Sequence, residues 1–137
     1  MKSIFIDSDV LIGLHYVHDA LHKQAIELFS HVSLTDYNSY LSWNVILETL
    51  TVVSQRISKP YAIELLSEFR SGKYTVIHPN EELISSAEEI FRSIRSKNVS
   101  YSDCVSFAVM RRYGIEWTFS FDLHFKKMGF KRVGIDK

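Results

Sequence analysis

Cysteine is almost absent from this chain. Cys104 stands alone among 137 residues, so no disulfide can form within one copy. That suits a reducing compartment, and a cytoplasmic location is expected. No apolar run approaches the roughly 20 residues that span a membrane. Asp7 and Asp9 interrupt the first apolar stretch, so no secretory leader is expected there. Proline is confined to Pro60 and Pro79, and only five glycines occur, too few for a collagen-like or low-complexity chain. There is no internal repeat and no linker. The 46% hydrophobic composition is enough to build the core of one domain over residues 1–137.

A charge of one sign is also missing: 16 basic residues balance 16 acidic ones. The balance hides an asymmetry. Met1 to Phe91 holds 6 Lys and Arg against 12 Asp and Glu; Arg92 to Lys137 holds 10 against 4. The basic group includes Arg92, Arg95, Lys97, Arg111, Arg112, Lys126, Lys127, Lys131 and Arg132. Such a division points weakly to a polyanion partner; an unevenly charged solvated surface is the plainer reading.

What is present is an alternation of strands and helices. Ile4-Phe5-Ile6 reads as a strand buried on both faces, ending at Asp7. A short helix is expected over Val10–Leu14, with Asp9 a possible cap. A longer one starts near Asp19, with Leu21, Ala25, Leu28 and Val32 on one face and His22 beside them. A polar connector leads to a second strand at Ser39–Ser42. Helices follow over Trp43–Ile57, with Ile46, Leu50, Val53 and Ile57 inward, and after Pro60, with Ile63, Leu66 and Phe69 inward. Gly72 is a stop signal. Tyr74–Ile77 reads as a third strand and Glu81–Arg95 as a helix whose early acids and late bases suit its dipole. Ser100 and Asp103 have capping-box spacing ahead of the apolar Val105–Met110, and Gly114 ends that helix. Glu116–Ser120 reads as a fourth strand, with a short fifth near Val133. The order predicts an α/β fold with a mostly parallel sheet of four to five strands, covered on both faces.

Four acids stand out by placement. Asp7 follows the first strand and Asp122 the fourth, so a parallel sheet brings both to its carboxyl edge, where ligands bind in open α/β folds. Asp103 lies in the first turn of a helix that starts at the same edge. Glu48 sits about 200° round its helix from Ile46, beside Val45 and Val52, with no Lys or Arg within four residues. Taken singly, Asp103 is as readily a cap and Asp122 a turn residue. Taken together, converging carboxylates raise one another's pKa and call for a cation. Oxygen-only donors suit Mg²⁺ or Mn²⁺, which at a phosphoryl group activates water and offsets charge.

The chain resembles the PIN domains, and among them the compact VapC toxins of bacterial toxin–antitoxin pairs. The likeness is carried by Phe5-Ile6-Asp7-Ser8-Asp9-Val10-Leu11, by Glu48 in Ile46-Leu47-Glu48-Thr49, by Tyr101-Ser102-Asp103-Cys104, and by Thr118 to Phe125. It implies a three-layer α/β/α sandwich. It implies Mg²⁺- or Mn²⁺-dependent endoribonuclease activity with Asp7, Glu48, Asp103 and Asp122 as the acidic quartet. Asp7, Asp103 and Asp122 would hold the metal, and Glu48 would orient or deprotonate the attacking water. Cleavage would leave a 5′-phosphate and a 3′-hydroxyl. The implied partners are RNA, with transfer RNA an example, a small antitoxin protein, and a second copy in a homodimer. No membrane is implied. The chain departs from the family in carrying Asp9, where Asn, Ser or Thr is common; it is either a fifth ligand or a cap. The polar residue near the fourth acid is either Thr118 or Ser120. Trp43, Tyr61 and Tyr74 are candidates for a partner surface and equally for the core.

Two rivals are weighed. Asp7 and Asp9 have the spacing of a haloacid-dehalogenase-like phosphatase, but Leu11 stands where that family has Thr or Val, and a Gly-Asp motif is missing near the end. A non-catalytic RNA- or protein-binding module on the same fold would gain nothing from repelling carboxylates.

Overall fold

The structure, a computed structural model, describes residues 1–136. Five strands form one sheet: β1 (Lys2–Ile6), β2 (Tyr37–Ser42), β3 (Thr75–Ile77), β4 (Trp117–Phe119) and β5 (Lys131–Arg132). Every neighbouring pair is parallel, and the order is β3-β2-β1-β4-β5. Seven α-helices flank it: α1 (Ser8–His15), α2 (His22–His31), α3 (Trp43–Arg56), α4 (Lys59–Phe69), α5 (Glu81–Ser93), α6 (Tyr101–Arg112) and α7 (Leu123–Lys127). The chain steps outward from β1 to β2 and β3, then returns across β1 to β4 and β5. With crossovers of one hand, that reversal puts α1–α4 on one face and α5–α7 on the other.

The ring contacts agree with this division. Phe5 of β1 packs on Phe125 of α7, which meets Phe107 of α6, while Phe119 of β4 packs on Phe29 of α2. Ile4, Phe5 and Ile6 are fully buried, as a doubly covered central strand requires. All of α6 from Cys104 to Met110 is buried, which makes it the central helix of its layer. Thr118 spends its hydroxyl on the Phe5 carbonyl at 2.8 Å, a buried staple between β1 and β4.

Local chemistry sets the helix ends. Ser58 caps α4, with Pro60 in its first turn; Asn80 caps α5; and Ser100 and Asp103 complete the capping box of α6. Gly114, at φ +65°, turns the chain after α6 so that the Ile115 N–H reaches the Met110 carbonyl.

Several expectations need correction. The first helix begins at Ser8 and its cap is Asp7, not Asp9. The second begins at His22 rather than near Asp19, because Asp19 closes a turn by accepting the Leu21 N–H. His22 bonds the Gly13 carbonyl and so ties α2 to the end of α1. On α4 the buried face is Ala62, Leu65 and Phe69, whereas Ile63 is 53% exposed and Leu66 37%. Trp43, Tyr61 and Tyr74 form no open patch. Trp43 lies between Arg70 and His78, Tyr61 bonds His15, and Tyr74 is buried against Phe69.

Candidate active site

The order of the strands creates a switch point between β1 and β4, where successive connections leave in opposite directions. A crevice opens there, outside the carboxyl ends of both strands. The Asp7 N–H donates to the Phe119 carbonyl at 2.9 Å and closes the floor of this crevice.

Asp7 is buried at the floor. Its Oδ1 accepts the Ser8 N–H at 2.9 Å and its Oδ2 the Ser120 hydroxyl at 2.8 Å. Burial raises its pKa well above the ordinary range, and the charges of Asp9 and Asp103 push it further, while the bonds from Ser120 and Ser8 oppose the rise. Asp9, in the first turn of α1, is held by the Phe121 N–H at 3.0 Å. Burial is the largest cause that lifts it to about 6, and Asp122 adds to it. Its Oδ1 is buried with no hydrogen-bond donor. Asp103 accepts the Ser100 N–H at its Oδ2, at 2.9 Å, so its cap and its place in the site coexist. It is raised by burial and then by the charges of Asp122 and Glu48. Asp122 caps α7, accepting both the N–H and the ring Nδ1 of His124, at 2.8 and 2.7 Å.

Glu48 has the apolar neighbours expected, Leu47 and Val52 among them, but they do not cover it. It is exposed, at the rim. Its anchor is the Ser8 hydroxyl, which donates to its Oε2 at 2.9 Å. Ser8 therefore serves both sides of the crevice, with its N–H on Asp7 and its hydroxyl on Glu48.

The four expected acids thus share one neighbourhood, and Asp9 joins them as a fifth. The causes of the raised pKa values link Asp7 with Asp9 and Asp103, Asp9 with Asp122, and Asp103 with Asp122 and Glu48. Among the described residues, no three of the His, Cys, Asp and Glu side chains stand close enough to enclose an ion as they are placed. The donors nevertheless fit a hard cation in kind: all are oxygens, they repel one another, and the Asp9 Oδ1 is buried without a donor.

A family model for the PIN domain matches residues 4–131. The chain belongs to the PIN domain family. The 23S rRNA-specific endonuclease VapC20 of Mycobacterium tuberculosis (strains CDC 1551 / Oshkosh and ATCC 25618 / H37Rv) is 29% identical over 130 residues, which is 95% of this PIN domain and 97% of that protein. The crystal structure of VapC20, described as a sarcin–ricin-loop-cleaving toxin, matches with a TM-score of 0.82 at 29% identity, over 94% of this chain and 97% of that one. FitAcB of Neisseria gonorrhoeae matches with a TM-score of 0.66 at 12% identity, over 94% and 95%, a likeness of fold alone. The likeness to VapC toxins read from the sequence holds, and nothing favours the phosphatase alternative.

Between Thr118 and Ser120, only Ser120 touches the acids of this PIN domain. Its hydroxyl bonds Asp7 and accepts the Asp122 N–H at 3.0 Å. Ser8 was not foreseen. Its partner Glu48 lies 40 residues away, and a serine beside an acid carries no signal of its own.

Proposed function

We propose that this chain is a divalent-cation-dependent endoribonuclease and the toxin of a toxin–antitoxin pair. One observation carries the reading: five carboxylates gather at the switch point of a PIN domain that resembles an rRNA-specific endonuclease along nearly its whole length. Asp7, Asp103 and Asp122 are the residues to hold Mg²⁺ or Mn²⁺, with Asp9 a further donor. When bound, such an ion supplies positive charge at the phosphoryl oxygens and lowers the pKa of water.

The chain's own groups do the rest. Ser120 and the Ser8 N–H hold Asp7, and His124 holds Asp122. Glu48 keeps Oε2 on Ser8, which leaves Oε1 to orient the attacking water and take its proton. The water oxygen bonds to phosphorus in line, the bond to the 3′ oxygen breaks, and a 5′-phosphate and a 3′-hydroxyl result. No Ser, Cys or His nucleophile is required, and Cys104 is fully buried.

Ribosomal RNA, and a sarcin–ricin-type stem–loop in particular, is the first substrate to try, because VapC20 is described as acting there. Transfer RNA is the second. The protein partner is a small antitoxin. The exposed Leu47, Ile63 and Leu66 between α3 and α4, close to Glu48, are the apolar surface on which such a partner would sit. A homodimer and a cytoplasmic location complete the reading; none of the helices among the described residues is long and apolar enough to cross a membrane.

The test is cleavage of total RNA by purified protein with Mg²⁺, with Mn²⁺ and with chelator. Metal-dependent cuts bearing 5′-phosphates, reduced at least a hundredfold by Asp7→Asn, are expected. Full activity in both Asp7→Asn and Asp103→Asn would overturn the reading.

A further inference from the structure

Away from the acids, one part of the surface combines rings with unpaired cations. Phe91, near the end of α5, is 44% exposed, and no other phenylalanine among the described residues is classed as exposed. Tyr101, in the first turn of α6, is 41% exposed, and the two ring centroids are 5.6 Å apart. The Tyr101 hydroxyl donates to Glu88 at 2.8 Å, which fixes the ring while leaving its face open. Arg92, in the last turn of α5, lies near Tyr101, and Arg95 and Lys97 follow in the loop that joins α5 to α6. All three are exposed, and among the described residues none makes an ion pair.

Two exposed rings in contact make a small apolar patch of the kind that marks a binding surface. The cations select what binds there. Arginine and lysine beside open aromatic faces suit a phosphate backbone with unpaired bases, since every base offers a π-face. The aliphatic groove between α3 and α4 is different in kind: it has no aromatic ring, and Lys59 is the one cation among its lining residues. Tyr101 also stands two residues from Asp103, on the turn that opens α6. At two residues' separation the ring and the carboxylate diverge by about 200° around the helix, so the ring lies across the first turn of α6 from the carboxylate, roughly 10 Å away.

We propose that Phe91 and Tyr101, with Arg92, Arg95 and Lys97, form a subsite that stacks an unpaired base of the RNA one or more nucleotides away from the scissile phosphate. The subsite rests on the nuclease reading above. It gives part of the basic carboxyl-terminal third of the chain a function that the net charge conceals.

Stacking tolerates any sequence, so a labelled mixed-sequence RNA of about 12 nucleotides is a sufficient probe. Binding is followed by fluorescence anisotropy with chelator present, on wild type, Phe91→Ala, Tyr101→Ala, Tyr101→Phe and the pair Arg92→Ala with Arg95→Ala. Circular dichroism confirms the fold of each. The two alanine variants of the rings are expected to weaken binding from about fivefold to a hundredfold, and Tyr101→Phe to bind as wild type does. The arginine pair is expected to weaken binding and to flatten its salt dependence. In metal-dependent cleavage of total RNA, the ring variants raise KM and leave kcat unchanged.

Unchanged affinity in both ring variants, or a wild type that does not bind the probe, overturns the subsite. A shift of either ring variant from dimer to monomer in sedimentation, with affinity unchanged, assigns the face to a protein interface. Absence of cleavage by a wild type that still binds the probe through these rings would overturn the nuclease reading instead.

Discussion

At the scale of single residues, the chain keeps charge in a place that does not favour it. The folded protein holds the proton of Asp9 up to about pH 6, whereas an unfolded chain releases it near 3.8. Asp7 and Asp103 are shifted in the same direction. Between those values the folded state binds more protons than the unfolded one, so stability falls as pH rises. His15, lowered by burial, works the other way in part of this window, but three carboxylates outweigh one imidazole, so metal-free protein is expected to melt at a higher temperature near pH 5 than near pH 7. Asp136 does not disturb this window. Arg132 holds it down to about 2, so its contribution is lost only in stronger acid. A melting temperature that rises steadily from about pH 4 to 7 would contradict the shifts. Asp9→Asn removes one repelling charge and keeps an acceptor for the Phe121 N–H. It is expected to stabilise the metal-free protein by about 1–3 kcal/mol in urea unfolding while weakening Mn²⁺ binding.

Ser8 offers a second residue-scale prediction. Ser8→Ala releases the Glu48 carboxylate from the Ser8 hydroxyl and leaves the backbone N–H of position 8 on Asp7. A fall in kcat of about ten- to a hundredfold with little change in KM is expected, with Ser8→Thr retaining most of the activity. Equal activity in Ser8→Ala and wild type would mean that Glu48 is positioned without it. The four main acids were legible in the sequence because each stands at an element boundary or lacks a charge partner. Ser8 and Ser120 act through neighbours that only folding brings close, and nothing at their own positions announces them.

At the scale of elements, α6 is the member whose loss should cost most. Phe107 is fully buried and its ring meets those of Phe125 and Phe130. Phe107→Ala is expected to destabilise the fold by about 3–5 kcal/mol in urea unfolding. A loss under 1 kcal/mol would mean that the core closes around the gap. This helix could be read from its capping box and its apolar run. Helix α4 shows where such reading fails. Ile63, Leu66 and Phe69 make a helical stripe, and so do Ala62, Leu65 and Phe69. The period is the same and only the phase differs. Both stripes are apolar, so the choice belongs to α3 and the sheet rather than to α4's own residues. The stripe left outside, with Leu47 of α3, becomes the open groove. That groove also accounts for the apolar residues of α3 beside the exposed Glu48.

At the scale of the whole molecule, the strand order β3-β2-β1-β4-β5 assembles the site. It sets Asp7 and Asp122, 115 positions apart in the sequence, on one edge. Parallel strands and their alternation with helices could be foreseen from the apolar pattern. The position of β4 beside β1 could only be inferred from the acids themselves or from family likeness, because no local feature names a strand's neighbour. The charge asymmetry is also partly structural. Arg132, counted among the basic surplus, is committed to Asp136 at 3.0 Å and to the Phe121 carbonyl beside the site.

The central claim is that the carboxylates at the switch point hold a divalent cation, and direct titration with Mn²⁺, followed by electron paramagnetic resonance, tests it without knowledge of the RNA. The account expects saturable binding to the wild type, lost or weakened at least tenfold in Asp7→Asn, with a melting temperature that rises as Mn²⁺ is added to the wild type alone. Mn²⁺ that fails to bind, or that binds Asp7→Asn as tightly as wild type, would contradict it.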